Sequence, residues 1–282
     1  MHPGLQKLLD SLSLRRLADD SYEGDGTVDS GGRIYGGQIM AQALTAMYQN
    51  VAGQYSVHSM QANFLRSGDL STPVEYRVRR DRDGKSYVAR SVAAIQHGRE
   101  VFTAMASFHC EEGGLGHQVA MPQVAGPDGL APESQRMRSI VGDNRYAWPV
   151  EIRLVDPNSL EVPVVCEPNV QAWMRAVDRL EDGRRIHDAI FAYASDNPIL
   201  IPALHPHALT PFTEGTMLAT LNHALWWHRP FRMDDWVMMD TYSDVTGGGR
   251  GMGRANVFTA AGDLVATVVQ EGVLRYKPAS AK

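Results

Sequence analysis

The chain has 282 residues, of which 44% are hydrophobic and 21% charged, and its formal net charge is −5. This composition is that of a globular protein with a substantial core, and it excludes disordered and collagen-like proteins. The negative net charge argues against a nucleic-acid-binding protein.

The longest apolar runs and the cysteine count indicate the environment in which the protein works. No apolar run approaches the roughly 20 residues that cross a bilayer, so we expect no membrane insertion. Cys110 and Cys166 are too few for a disulfide framework and favour a reducing, cytoplasmic location.

Residues 1–112 have the pattern of one helix-plus-sheet unit. A short helix is expected where leucines recur between Gly4 and Leu17. A second helix is predicted over 36–47, because apolar residues recur there at a spacing of four. Four extended segments follow, with turns at 83–84 and 97–98; they are Val57 to Leu65, Val74 to Arg82, Ser86 to Gln96 and Val101 to Cys110. One helix followed by antiparallel strands is an α+β unit.

The remainder of the chain divides into a linker and a repeat of this unit. Residues 113–150 are rich in glycine and proline and are predicted to be a linker crossing a surface. Residues 151–282 match the first unit at a shift of about 164 residues; the matches include Arg90 with Arg254, Gly98 with Gly262, Val101 with Val265 and Thr103 with Thr267. A further helix is expected from Arg185 to about Asp196, ending before Asn197-Pro198.

Aligning the two units shows where they differ in chemistry. Gln270 stands where the first unit has Ala106, on a strand face that is otherwise apolar. Thr220 stands where the first unit has Val57. A buried polar group without a partner costs about 1–3 kcal/mol, so each needs a structural or a catalytic partner. A hydrogen bond to the backbone at a strand end would satisfy either of them.

Asp196 is a third unusual residue, because it follows the predicted helix at its C-terminal end. A carboxylate there faces the negative end of the helix dipole, which would make it a better proton acceptor. The alternative is a solvated turn, since Ser195-Asp196-Asn197-Pro198 has ordinary turn composition.

Segments from both units resemble the acyl-CoA thioesterase II family. Those of the first unit are Arg33 to Gln38, His58 to Asp69, Ala93 to Gln96 and Ala106 to Phe108. Those of the second unit are Tyr193 to Asp196, Ala219 to His223, Trp227 to Phe231 and Val269 to Val273. The resemblance implies a double hotdog, in which two tandem helix-plus-antiparallel-sheet units join into one continuous sheet. It also implies hydrolysis of fatty acyl-CoA to free acid and CoA. Hotdog sheets associate through edges or faces, so we expect a homo-oligomer.

The resemblance places the family's catalytic trio on Asp196, Thr220 and Gln270, in the C-terminal unit 151–282. We expect the three to hold one water, with Asp196 as base and the Gln270 amide orienting it. Attack by Asp196 itself to give an anhydride is the competing route. Oxyanion donors are expected from backbone N–H groups near 36–37, at a helix start. Asn222 departs from the family pattern, which has Asp before the histidine, so its local hydrogen bonding is open.

Two other functions remain open from the sequence. A hotdog enoyl-thioester hydratase would use an Asp and a His on one loop, but no histidine follows Asp196 closely. A non-catalytic acyl-CoA-binding module would not need all three polar residues. We expect no cofactor, and no metal site because the histidines lack a spaced cysteine or carboxylate set. The glycine-rich segment 247–253 is predicted to be a turn, with Arg250 and Arg254 as partners for CoA phosphates.

Overall fold

The computed structural model describes residues 1–26, 32–135, 148–156 and 163–278. Within these ranges the helices are α1 (Pro3–Leu12), α2 (Gly36–Tyr48) and α3 (Arg184–Ala194), with a 3₁₀ helix at Ile201–His207. The strands are β1 (Arg15–Ala18), β2 (Ser21–Gly24), β3 (Tyr55–Phe64), β4 (Val74–Asp83), β5 (Tyr87–Gln96), β6 (Arg99–Cys110), β7 (Val150–Leu154), β8 (Asn169–Ala176), β9 (Thr216–Trp227), β10 (Val237–Gly247), β11 (Arg250–Thr259) and β12 (Leu264–Tyr276).

The twelve described strands form one antiparallel sheet. Their order is β1-β2-β4-β5-β6-β3-β9-β12-β11-β10-β8-β7. The order is mirrored about the β3–β9 pair, so β1–β6 with α2 (the first unit) repeat in β7–β12 with α3 (the second unit). The two helices pack against each other, and one core of buried apolar residues runs through both units. This architecture is the predicted double hotdog.

The predicted strands of the first unit are confirmed as β3 to β6, with ends displaced by at most two residues. The turn at His97-Gly98 and its repeat at Gly262 are found with positive φ angles of 50°, 69° and 91°. The glycine-rich segment 247–253 contains the β10–β11 turn, as predicted. At the N-terminus the helix ends at Leu12, and β1 occupies the last part of the expected helical stretch.

Part of the predicted linker lies along the second unit. The indole Nε1 of Trp173 donates a hydrogen bond of 2.8 Å to the carbonyl oxygen of Ala125. Met121 and Val124 pack against the cluster that Trp173 forms with two other buried residues. Residues 136–147 of the predicted linker lie outside the described residues. No helix in the described ranges has the length and hydropathy needed to cross a membrane.

Candidate active site

The site forms where the start of α2 meets the end of α3. The Tyr35 hydroxyl donates a 3.1 Å hydrogen bond to the carbonyl oxygen of Tyr193, and the two rings pack edge to face. Trp148 packs against both rings. A Cβ atom on Gly37 would lie 2.2 Å from that carbonyl oxygen. The approach of the two helices therefore requires glycine at position 37.

Asp196 lies just beyond α3, and its carboxylate points to the start of α2. Its Oδ2 accepts a 3.0 Å hydrogen bond from the Gly37 main-chain N–H. The positive end of a helix dipole stabilises a carboxylate at this position. The sequence argument considered only the C-terminal end of the helix that precedes Asp196, and the start of α2, which belongs to the other unit, adds the opposite dipole end at the carboxylate.

Thr220 and Gln270 complete a chain of direct hydrogen bonds with this carboxylate. Thr220 lies on β9 and donates from Oγ1 to Oδ1 of Asp196 over 3.1 Å. Gln270 lies on the neighbouring strand β12 and donates from Nε2 to Thr220 Oγ1 over 2.9 Å. The structure thus brings the three sequence-predicted residues together, although they are contributed by three separate elements.

His223 and Ser195 extend this chain of hydrogen bonds beyond the trio. The Oε1 atom of Gln270 lies 2.5 Å from Nδ1 of His223, and His223 Nε2 lies 3.0 Å from the Ser195 hydroxyl oxygen. Burial lowers the pKa of His223, while the charge of Asp196 and the hydrogen bond to Gln270 act in the opposite direction. Sequence reasoning gave His223 no role. The self-alignment carried a signal nonetheless, because the first unit has Met60 at this position.

A pocket of about 400 Å³ opens beside the trio, and all three of its residues line it. Apolar side chains form much of the remaining wall: Ile34, Ile39, Phe64, Leu65, Pro198, Leu200, Ile201, Pro211 and Leu218. Arg33 and Arg66 also line it. Their guanidinium groups donate to the carbonyl oxygens of Leu218 and Glu100, at 3.1 and 2.6 Å.

The arginines expected from sequence lie elsewhere. Arg250 and Arg254 are paired with Glu271 and Asp244, at 2.9 and 2.7 Å. Arg250 lines a separate depression of about 290 Å³, and Arg254 lines neither cavity. The arginines on the wall of the pocket beside the trio are therefore Arg33 and Arg66, which the sequence analysis did not name as partners for CoA.

Two smaller points of local chemistry are also resolved. Asn222, which departs from the family pattern, donates a 3.2 Å hydrogen bond to Glu271. It does not line the pocket. Among the described residues, no three His, Cys, Asp or Glu side chains are grouped so that they could hold a metal ion.

Known proteins resemble this chain in sequence and in fold. The acyl-CoA thioesterase family model matches residues 144–273, and the model of the acyl-CoA thioesterase N-terminal domain matches residues 25–109. The chain belongs to the acyl-CoA thioesterase family. The two matches divide the chain between its two units, in the order in which the sheet repeats.

Relatives of this thioesterase family align over almost the whole chain. Mouse acyl-coenzyme A thioesterase 8 is 37% identical over 95% of this chain and 88% of its own length. Acyl-CoA thioesterase 2 of Haemophilus influenzae is 32% identical over 96% of this chain and 98% of its own. The crystal structure of an acyl-CoA thioesterase II from Mycobacterium marinum superimposes with a TM-score of 0.81, at 36% identity, covering 96% of this chain and 99% of that one.

Proposed function

We propose that this protein hydrolyses fatty acyl-CoA to a free fatty acid and CoA, using water activated at Asp196, Thr220 and Gln270. The observation that carries the proposal is the hydrogen-bonded chain of these three side chains at the wall of a largely apolar pocket. A carboxylate base, a hydroxyl and an amide can together fix a water molecule beside a thioester carbonyl. Membership of the thioesterase family supports the same reaction.

In the proposed reaction, Asp196 accepts a proton from the bound water while the water oxygen attacks the carbonyl carbon. The C–S bond then breaks, and the sulfur of CoA leaves with the proton that Asp196 had taken. Thr220 and Gln270 hold the water, and Gln270 keeps a second amide hydrogen that can reach into the pocket. General-base catalysis of this kind typically contributes about 10²–10⁴-fold to the rate.

The oxyanion donor is assigned to the Gly36 N–H. The Gly37 N–H, the other donor expected from sequence, is occupied by Asp196. Gly36 lines the pocket and is the first residue of α2, so its N–H lies at the positive end of the helix dipole.

The pocket's chemistry also matches the two parts of the substrate. Its aliphatic and aromatic wall suits an acyl chain, whose burial is favourable at about 25 cal/mol per Å². Arg33 and Arg66 are the cations on its lining, and Arg66 is exposed to solvent. Guanidinium groups at this position suit the phosphates of CoA.

A hydratase is disfavoured by the position of His223. An Asp/His dyad needs both groups facing the substrate, but His223 does not line the pocket and both its nitrogens are within hydrogen-bond distance of protein groups. A binding module without activity would bind acyl-CoA and release no thiol, so a turnover measurement separates it from the enzyme.

The test is a chromogenic thiol-release assay on purified protein with acyl-CoA substrates from short to long chains. We expect multiple turnovers with at least one chain length, and the free acid as co-product by mass spectrometry. With an enoyl-CoA substrate, loss of the enoyl absorbance without thiol release would instead identify a hydratase. Absence of turnover with every substrate would overturn the proposed function.

A second experiment separates water attack from the anhydride route. A single turnover in water enriched in ¹⁸O, followed by digestion and mass spectrometry, reports whether the Asp196 carboxylate gains the label. Our proposal predicts label in the fatty acid and none in Asp196. Label in the carboxylate would support the acyl-enzyme anhydride.

We further propose that the protein works in the cytoplasm as a homo-oligomer. The free thiols of Cys110 and Cys166 suit a reducing compartment. Strands β1 and β7 leave backbone edges at the two ends of the sheet, through which copies can associate. Light scattering coupled to size-exclusion chromatography measures the mass, and a monomer at all concentrations would contradict the second point.

A further inference from the structure

We infer that His223 is a positioning residue, which holds the Gln270 amide in the one orientation that serves the proposed reaction. The inference rests on the proposed role of Gln270. It is carried by a chain of buried hydrogen bonds that continues behind the trio, away from the pocket.

The direction of this chain is set by its pocket end. A carboxylate only accepts, so the single hydrogen of the Thr220 hydroxyl points to Asp196. Thr220 Oγ1 must therefore accept from Gln270, which turns the amide nitrogen towards Thr220 and the amide oxygen towards His223. An amide oxygen also only accepts, so His223 must carry its proton on Nδ1.

The second ring nitrogen of His223, Nε2, completes the assignment of the ring proton to Nδ1. The pKa of His223 is lowered by burial, which favours the neutral ring with one N–H. With that proton on Nδ1, Nε2 is an acceptor, and the Ser195 hydroxyl at 3.0 Å is its donor, in place of its 3.1 Å bond to the Ala192 carbonyl oxygen. The donors then run in one direction, from Ser195 through His223 and Gln270 towards Asp196, and such chains strengthen their members.

The reverse arrangement leaves one acceptor unpaired. Nε2–H could donate to Ser195, whose hydroxyl could then donate to a carbonyl oxygen one turn earlier in α3, at 3.1 Å. Nδ1 would then need the amide nitrogen of Gln270, which would turn the amide oxygen towards Thr220. Thr220 has one hydrogen and would face two acceptors, and a buried acceptor without a donor costs about 1–3 kcal/mol.

The consequence for the reaction concerns the second hydrogen of the Gln270 amide. When the amide nitrogen faces Thr220, its second hydrogen lies on the pocket side of Gln270, where the water of the proposed reaction is bound. With the amide reversed, the pocket loses a donor. His223 touches neither the water nor the substrate in this scheme, and it acts on the reaction only through Gln270.

A pair of amide variants tests the inference. In His223→Asn the side-chain NH₂ reaches the place of Nδ1 and keeps a donor for Gln270, whereas in His223→Gln it reaches the place of Nε2. We expect His223→Gln to lower kcat roughly 10- to 100-fold with KM changed less than about 3-fold. We expect His223→Asn to recover most of that loss. Equal losses in the two variants would overturn the inference.

A double-mutant cycle separates positioning from general damage. In a Gln270→Ala background, His223→Gln should lower kcat by less than about 2-fold, because the group that it positions is gone. Additive losses would overturn the inference and leave the proposed function standing. Full activity of Gln270→Ala alone would remove Gln270 from the proposed function, and the inference with it.

The unaltered protein supplies a readout that no folding defect can obscure. The ¹⁵N shifts of labelled histidine side chains report the tautomer, and the His223→Asn spectrum identifies the His223 signals. We expect the Nδ1–H tautomer at pH 7 to 8. A ring protonated on Nε2 alone, or on both nitrogens, would contradict the assignment.

Discussion

The two units share a backbone plan, but only the second carries the hydrogen-bonded trio. Gln270 lies opposite His223 across β12 and β9, and at the same place in the first unit Ala106 lies opposite Met60 across β6 and β3. Thr220 has Val57 as its counterpart. The three first-unit side chains are at most 1% exposed and apolar, so that place is filled by core packing.

The residues around the trio and around its first-unit counterpart also differ, and again the first-unit side is filled by side chains. In the first unit the Tyr48 hydroxyl accepts from the Val57 main-chain N–H at 2.9 Å and donates to Asp188 at 2.7 Å. Helix α3 begins with Arg184 and Arg185, where α2 begins with two glycines. Arg185 lies over the Tyr48 ring and donates to the Tyr48 carbonyl oxygen at the end of α2. Bulky side chains thus occupy the space that the glycines leave open in the other unit.

The comparison teaches that the fold supplies two equivalent places and that a few side chains decide which one becomes a pocket. Val and Thr have nearly the same shape, so the difference at this pair lies in one hydroxyl group. Substitutions that exchange these chemical features between the units can therefore test the assignment directly.

The largest effect is expected at Asp196. Asp196→Asn removes the base, so kcat should fall by about 10²- to 10⁴-fold in the thiol-release assay. The matched control is Asn50→Asp, which places a carboxylate two residues after α2, as Asp196 is placed after α3. The control should retain activity. An active Asp196→Asn enzyme would remove the catalytic assignment.

Exchange of Thr220 and Val57 gives the next largest effect. Thr220→Val removes the hydroxyl that joins Gln270 to Asp196, so we expect kcat to fall by roughly 10- to 100-fold. Val57→Thr should leave kcat unchanged but lower the free energy of unfolding by about 1–3 kcal/mol, because it buries a hydroxyl among apolar groups. Urea denaturation measures the second quantity. Equal effects on activity would contradict the difference between the units.

Gly37→Ala tests the helix approach that is found beside the pocket. The added methyl group would lie 2.2 Å from the Tyr193 carbonyl oxygen, so α2 and α3 must move apart and the N–H bond to Asp196 must lengthen. We expect about 1–3 kcal/mol of lost stability together with a lower kcat. Gly53→Ala is the control, since no atom lies within 4 Å of its added Cβ. Equal stability of the two variants would argue against the tight crossing.

The smallest effect is expected from Asp188, in the first-unit counterpart of the site. Burial raises the pKa of Asp188 to about 7, although Tyr48 and two arginines oppose the rise. Between pH 4 and 7 the unfolded chain has released this proton and the folded chain keeps it, so stability falls as pH rises through that window. The difference in unfolding free energy, wild type minus Asp188→Asn, should fall by about 1 kcal/mol per pH unit from pH 5 to 7. A difference independent of pH would show that Asp188 does not titrate there.

Local patterns predicted much of the sheet and marked the three positions as unusual, and the family resemblance assigned them as a trio. Strands β3 to β6 follow alternating residues bounded by turns, and Gln270 was recognisable because an amide interrupts an apolar face. Strands β7 and β8 were not predicted, since their place was obscured by the glycine- and proline-rich stretch before them. The self-alignment that identified Thr220 would equally have identified His223, against Met60.

Contacts between the two units could not be predicted from local sequence patterns. Asp196 and Gly37 are 159 residues apart in sequence, so the helix terminus that holds the carboxylate could not be inferred from residues near Asp196. The same holds for Arg33 and Arg66, which reach the pocket from the first unit. Such positions depend on how β3 pairs with β9, and neither strand's own pattern specifies that pairing.

The continuity of the chain across this sheet has a consequence for how the protein can vary. Two identical subunits related by a twofold axis must carry every substitution twice, once at each symmetric position. Here one polypeptide supplies both halves of that axis, so a valine can stand on one side and a threonine on the other. Because the two units are covalently joined, their sequences can differ. One of the two equivalent places can then hold a reaction centre while the other is filled by side chains that stabilise the fold.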